Sequence, residues 1–235
     1  MKKIPRTTLF MITSLDGKIS SGDTDVLDVD KDWKGITGVK EGLQQYYDLE
    51  KRTDVCSFNT GRVMAKIGIN KKKNPLSLIP VSFILVDNKP HLQKSGVEYL
   101  SKWLKHVYIV TTNKNHPAIS LQKNVKNITV LLYSKKINFQ DLFERLKMEF
   151  KINRVTIQSG GEMNATLLRA GLIDRVSLVL APILVGGRTT PTLVDGESLH
   201  KVSELAKLRP LRLVSIKKLK NSYIHLIYKV LERGK

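Results

Sequence analysis

The chain has 235 residues, 41% of them hydrophobic, which is enough for a sizeable core and too apolar for a disordered chain. Its 40 Lys and Arg against 21 Asp and Glu give a formal charge of +19, pointing to anionic partners or to a lysine-rich solvated surface. No apolar run reaches the ~18–20 residues of a membrane span, and the single cysteine, Cys56, excludes an intramolecular disulfide and a multi-cysteine metal site.

The opening MKKIPRTTLFMITSLDG carries only a short apolar run and no small-residue cleavage site, so it reads as a first strand rather than a signal peptide. Thr7 to Thr13 is that strand, closed by the turn residues Ser14, Asp16 and Gly17. Ser20 to Asp32 is polar and reads as a loop. Gly38 to Arg52 carries a helical stripe of Val39, Leu43, Tyr46 and Tyr47. Asp54 to Gly61 is a second strand ending at glycine, and in it Cys56 reads as a small buried apolar residue. A Pro- and Lys-rich connection, 68–80, leads to strands over 81–87, 106–112 and 127–134. Asn138 to Phe150 is an amphipathic helix with Phe139, Leu142, Phe143, Leu146 and Phe150 on one face. Arg154–Gln158 is the next strand, a glycine pair and a helix follow, and RVSLVLAPIL is a buried strand stopped near Pro182. LRLVSIKKL and SYIHLIYKVL close the chain as an antiparallel hairpin. Alternating strands and helices finished by strands alone predict a three-layer α/β fold. Its sheet is mostly parallel and mixed, flanked by helices on both faces, in a single domain over 1–235.

Ligands of such sheets bind at the carboxyl ends of the strands. Thr13-Ser14-Leu15-Asp16-Gly17-Lys18 follows the first strand, Thr60-Gly61-Arg62-Val63 the second, and Ser159-Gly160-Gly161-Glu162-Met163-Asn164 the strand ending at Gln158. Val185-Gly186-Gly187-Arg188 comes shortly after Pro182. Gly160-Gly161 before a helix is either a diphosphate seat or a tight turn, because glycine serves both. It lacks the spaced G-x-G-x-x-G pattern and a ribose-binding carboxylate, since Asp174 stands at the wrong edge. Gly61-Arg62 is equally open: a bidentate 2′-phosphate contact or a solvated arginine after a turn. Asp16 is a proton-transfer candidate or a plain turn residue. The five histidines stand far apart in sequence and form no H-x-x-x-H pair, so no metal site is expected. Neither lysine cluster, Lys71–Lys73 or Lys217–Lys220, is interleaved with stacking aromatics, so a nucleic-acid partner is not expected either.

Together these stretches resemble a known family. TLFMITSLDGKIS is similar to the opening strand of the reductase domain of riboflavin biosynthesis, whose fold is dihydrofolate-reductase-like. QSGGEMNATLLRAGLIDRVSLVLAPILVGG resembles that family's E-G-G-x-x-L-N…P-x-x-x-G-G block. The resemblance implies NADPH as hydride donor, a phosphoribosylamino-pyrimidine substrate, a cytoplasmic homodimer and no membrane. It implies that Ser159, Gly160, Gly161, Glu162, Met163 and Asn164 hold the cofactor diphosphate. Thr60, Gly61, Arg62 and Val63 take its adenosine phosphate side, with Thr13 and Thr37 also near the cofactor. Asp16 and Lys18 are the implied catalytic pair, and Ser14, Asp16, Gln158, Gly186 and Gly187 the substrate residues. The chain departs from the pattern at Gln158, where the family has glutamate, at Asp174-Arg175, around Glu50, and at AKIGINKKKNP, which replaces a D-D-P-x-L-T-V-R segment. Two other readings stand beside this one: a dihydrofolate or pterin reductase, with its carboxylate register falling at Gln45, and a basic nucleic-acid-binding protein on a retired enzyme fold.

Overall fold

The computed structural model describes residues 3–231. In chain order the strands are β1 (Arg6–Thr13), β2 (Cys56–Thr60), β3 (Ile79–Val86), β4 (Leu104–Thr111), β5 (Ile128–Leu132), β6 (Arg154–Ile157), β7 (Arg175–Leu180), β8 (Leu211–Lys218) and β9 (Ile224–Val230). The helices are α1 (Val29–Asp32), α2 (Lys40–Glu50), α3 (Gly61–Lys66), α4 (Lys94–Trp103), α5 (Pro117–Leu121), α6 (Phe139–Met148) and α7 (Gly161–Arg169). The chain forms two compact units interleaved in sequence: one of Met1–Pro5 and Asp54–Ser159, the other of Arg6–Thr53 and Gly160–Lys235. No helix among the described residues is long and apolar enough to cross a membrane.

In the first unit five strands run parallel in the order β5-β4-β3-β2-β6. The strands are apolar nearly throughout, as expected where helices cover a parallel sheet. Leu85, Leu92, Val97, Leu100, Val107 and Ile109 form the centre of its core. Helix α6 is the amphipathic helix predicted, capped by the Asn138 side chain accepting from Asp141 N–H. Helices α4 and α5 were not anticipated. In α4, ten residues long and as amphipathic as α6, Gly96, Val97, Tyr99 and Leu100 are buried. Helix α5 has five residues, started by Pro117 and capped by His116, whose ring accepts from Ala118 N–H. Lys72 of the lysine cluster lies over the rings of Tyr99 and Trp103, 5.7 and 6.0 Å from their centroids.

In the second unit β1 runs parallel to β7, and β9 and β8 add antiparallel strands beside it. Phe10, Ile12, Val179, Leu43, Tyr46 and the fully buried Trp33 and Tyr223 pack together, so α2 covers one face of these strands. Phe10 and Tyr46 stack with their centroids 5.1 Å apart. Gly42 of α2 lies flat against the Tyr223 ring, leaving no room for a Cβ, and Tyr223 Oη donates to the Val39 carbonyl at 2.8 Å. The pairing of β8 with β9 shifts between Leu213 and Ser215, a bulge that sets Leu211, Leu213, Val214 and Ile216 toward one side of the hairpin. These four are 44%, 49%, 47% and 62% exposed, so among the described residues this apolar row is only about half covered.

Candidate active site

In the second unit the register of β1 with β7 sets Thr13 beside Leu180, so the turns that follow the two strands grow side by side. Backbone bonds then lace them together: Ala181 N–H to Thr13 O, Leu15 N–H to Ile183 O, Ile19 N–H to Pro191 O and Leu193 N–H to Gly17 O. Asp16 projects across the gap and accepts from Val185 N–H at 3.1 Å and Gly186 N–H at 2.7 Å, with the Ser14 hydroxyl donating to it at 2.5 Å. Gly186 and Gly187 both have positive φ, and the successive N–H groups of Val185 and Gly186 meet an anion, which here is the chain's own carboxylate. The Ser14 hydroxyl and the two backbone N–H groups outweigh desolvation and hold the Asp16 carboxyl down at about 2.

Lys18 is buried, and its ammonium donates to the carbonyls of Gly187 at 2.7 Å and Thr190 at 3.0 Å. Asp16 and Lys18 thus grip the 185–190 turn from its N–H and its C=O sides. Asp16 is an ionised acceptor at neutral pH, with no proton to give. The two implied catalytic residues therefore meet Gly186 and Gly187 directly, and hold the turn that carries them. Thr13 and Ser14 are buried beneath, where Ser14 Oγ accepts from Lys18 N–H.

The same lacing reaches helix α7. Its first residue, Gly161, accepts from Asp195 N–H through its carbonyl. A Cβ at Gly161 would come within 3.0 Å of the Asp195 carboxylate and the Thr192 carbonyl. Asn164, fully buried, donates through Nδ2 to the Leu193 carbonyl at 2.9 Å. Gly160 behaves differently. Its φ of −69° is open to any residue, and nothing lies within 4 Å of where its Cβ would stand. No side chain caps the helix that starts there, and Glu162 is exposed beside it. The second unit thus gathers Thr13, Ser14, Asp16, Lys18, Gly160, Gly161, Asn164, Gly186 and Gly187 through one continuous set of hydrogen bonds, with Glu162 and Met163 on the same first turn of α7. Thr37 is exposed in the turn before α2 and takes no part in that set.

In the first unit β2 lies between β3 and β6, so Thr60, Asp87 and Gln158 leave neighbouring strand ends. Thr60 caps α3, accepting from Val63 N–H through its hydroxyl, and Arg62 is exposed on the first turn. Gln158 accepts from the Ser57 hydroxyl at 3.0 Å, where the resembled family has a carboxylate; Ser159 is buried next to it. Gly61 is packed against the Asp87 carboxylate, again with no room for a Cβ. Asp87 was missed in the sequence. It accepts from Leu92 N–H, from His91 N–H and from the rings of His91 and His116. Two histidines distant in sequence thus meet on one carboxylate. The signal available was an acidic residue ending an otherwise apolar strand. Among the described residues no group of three or more His, Cys, Asp or Glu is placed to hold a metal. Cys56 is buried, and burial pushes its thiol up to about 12, as expected of an inert packing residue.

Parallel strands with crossover helices, an antiparallel terminal hairpin and glycine turns at the strand carboxyl ends define an α/β fold of the class that binds its ligands at those strand ends. Residues 80–225 match the family model of the RibD C-terminal domain, more than half of the chain, and the chain belongs to that family. A relative from Methanothermobacter thermautotrophicus, 2,5-diamino-6-ribosylamino-4(3H)-pyrimidinone 5′-phosphate reductase, is 24% identical over 213 residues, covering 87% of this chain and 90% of its own. The protein of the same name from Aquifex aeolicus is 26% identical over 142 residues, 59% of each chain. Among solved structures, RibD of Acinetobacter baumannii superposes over 98% of this chain with a TM-score of 0.68 at 15% identity; this chain spans 59% of that protein's length. The Saccharomyces riboflavin biosynthesis reductase Rib7 covers 98% of this chain and 92% of its own at 17% identity, with a TM-score of 0.61. The mixed, helix-flanked fold read from the sequence is the fold these structures share.

Proposed function

We propose that the chain is an NADPH-dependent reductase of riboflavin biosynthesis. It reduces the ribose of a 5-phosphoribosylamino-pyrimidine to the ribityl form, working as a single reductase domain in the cytoplasm and as a homodimer. The observation that carries this reading is Gly160. Gly61 and Gly161 are accounted for by the side chains and carbonyl packed on them, whereas neither φ nor space inside the protein requires a glycine at 160. A ligand that must approach the backbone at an uncapped helix start supplies the reason, and a diphosphate is the group such a start favours. Gly160 to Asn164 are assigned to the cofactor diphosphate, and Thr60 to Val63 to its adenosine phosphate side. NADPH, when bound, supplies the hydride. The chain's part is to orient and to exclude water. Asp16 and Lys18 do so by fixing the 185–190 turn, and Gln158 presents an amide where the family's usual glutamate would present a charge. The relatives named as pyrimidinone phosphate reductases supply the substrate class.

The pterin reading gains nothing from α2. Gln45 is spent on its own helix and on the β8–β9 turn, donating to Gly42 O and to Lys220 O and accepting from Lys220 N–H. The homodimer draws on the half-covered face of the hairpin: Leu211, Leu213, Val214 and Ile216 of β8 stand beside Leu226 and Tyr228 of β9. The test of the whole reading is turnover. Incubated with 2,5-diamino-6-ribosylamino-4(3H)-pyrimidinone 5′-phosphate, the protein should consume NADPH and yield the ribityl product. Absence of saturable NADPH fluorescence change at millimolar protein removes the cofactor, and binding without turnover removes the substrate.

A further inference from the structure

Residues 99–140 carry a charge pattern that nothing described so far uses. Between Glu98 and Asp141 the sequence has seven lysines and no Asp or Glu. A lysine-rich background does not account for this. The two units hold twenty Lys and Arg each, but six acidic residues stand in the first and fifteen in the second. The first unit is therefore basic by depletion of acids, not by excess of lysine. All seven lysines of the stretch are exposed. Among the described residues, none of them enters an ion pair or a side-chain hydrogen bond. The fold collects them at the two ends of β5, the edge strand of the sheet. Lys105 and Lys126 each stand two residues before the registered pair Val107 and Ile128. Asn127 Nδ2 donates to the carbonyls of Ser101 at 2.7 Å and Leu104 at 3.1 Å, which ties the turn carrying Lys123 and Lys126 to the end of α4 carrying Lys102. At the other end Tyr133 N–H donates to Thr111 O, so Lys135 and Lys136 leave β5 beside the turn that carries Lys114.

The five residues of β5, about 16 Å of strand, separate the two groups. One phosphate or one nucleotide meets one group, whereas a polyanion meets both. No lysine stands on β5 itself, so these charges do not guard the strand's own ladder. A peptide adding as a further strand fits poorly, because Val130 N–H, midway along β5, is taken by Gln122 Oε1 at 3.1 Å. Among the described residues of the stretch, Leu132 at 46% is the one large apolar side chain exposed, too little for the core of a protein interface or for insertion into a membrane. Asn115 and Asn124 are exposed among the lysines and are side chains that bind phosphate beside them. Tyr99, Trp103, Tyr108, Tyr133 and Phe139 are buried or half-buried, so no ring is presented for unpaired bases to stack on. We propose that the β5 edge of the first unit is a binding surface for the phosphate backbone of a nucleic-acid duplex, taken without regard to base sequence. It does not rest on the cofactor reading, none of whose residues lies within 99–140, and neither lysine cluster visible in the sequence belongs to it.

The test is fluorescence anisotropy of a labelled duplex of about 20 base pairs, titrated with the full chain between about 50 and about 200 mM salt. Micromolar binding is expected at the lower salt, with log affinity falling against log salt at a slope of about −4 to −6, the scale of about five to seven phosphate contacts. Lys123→Glu with Lys126→Glu, and separately Lys135→Glu with Lys136→Glu, should each weaken binding about tenfold or more and flatten that slope by about 2. Lys217→Glu with Lys220→Glu makes the same change of net charge in the other unit, and should weaken binding less than about threefold. Circular dichroism should match wild type for all three, since every lysine changed is exposed. Equal weakening by the three variants would assign the attraction to net charge and overturn the surface. So would the absence of salt-dependent binding by wild type, or a single strand that binds more tightly than the duplex. Poly-glutamate or phosphatidylserine vesicles that displace the label at a lower concentration of charge than unlabelled duplex would overturn it too, in favour of an acidic protein or a membrane.

Discussion

Three glycines at strand ends look alike in the sequence and differ in what surrounds them. Gly161→Ala forces a methyl onto the Thr192 carbonyl and the Asp195 carboxylate. Overpacking of that kind costs about 1–3 kcal/mol, so a lowered midpoint in denaturant is expected. Gly61→Ala pushes on the fully satisfied Asp87 carboxylate and should behave the same way. Gly160→Ala meets nothing, and its stability should stay within ~0.5 kcal/mol of wild type. Its NADPH affinity should nevertheless fall about tenfold or more, ~1.4 kcal/mol, because the methyl occupies the approach to the helix start. A Gly160→Ala protein that binds NADPH like wild type would remove the main support for the diphosphate seat. At Asp16 the expectation is mechanical rather than acid–base. Asp16→Asn keeps the shape but weakens the grip on Val185 and Gly186, so kcat should drop with no shift of the pH–rate profile. Loss of one limb of that profile would instead make Asp16 a proton-transfer group.

The hairpin β8–β9 shows how an element is legible while its role is not. Alternation placed both strands correctly, and the strand core TTLFMIT was equally plain, because β-branched and aromatic runs between turn residues have few other homes. The bulge was not legible. It moves Val214 out of register and gathers Leu211, Leu213 and Ile216 on one side, a consequence of pairing with β9 rather than of local propensity. Helix α5 escaped because it has five residues and little periodic signal of its own, whereas α4 is as long and as amphipathic as α6 and its stripe was there to be read. The site divides the same way. Turns that end strands were visible; Asp195 against Gly161 and Asp87 against Gly61 are contacts between distant residues that no spacing announces. A half-covered apolar sheet face predicts association. Sedimentation should report a dimer, and Leu213→Glu combined with Ile216→Lys should give a monomer that keeps its fold by circular dichroism. A wild-type protein that sediments as a monomer at tens of micromolar would remove the homodimer.

The charge of the whole molecule is unevenly shared. Counted over the sequence, the unit of residues 1–5 and 54–159 holds twenty basic and six acidic residues, and the other unit twenty and fifteen, so +14 of the +19 belongs to the first. Acid adds positive charge to a chain already repelling itself, and two histidines add a specific cost. His225, buried with its Nε2 2.8 Å from Ser177 Oγ, and His106, 2.9 Å from Thr129 Oγ1, both have pKa values lowered from 6.5, by burial first and for His225 also by Lys217. A folded pKa below the unfolded one means that the unfolded chain binds the proton more readily. Stability is then complete above about 6.5 and is lost as pH falls below it. Asp16, held at about 2 against 3.8, and Asp87, also lowered, act later: their contributions persist until pH drops below the ordinary carboxylate range. Acid unfolding should therefore come in two stages, a first decline in Tm between about pH 7 and about pH 5 and a steeper one below about pH 4. General repulsion has the same sign as the histidine effect, but salt screens it at the surface and reaches the buried His225 far less. His225→Gln should flatten the first stage at high salt as well as at low salt. A first stage that vanishes in wild type on adding salt would assign it to the +14 surface and not to His225 and His106.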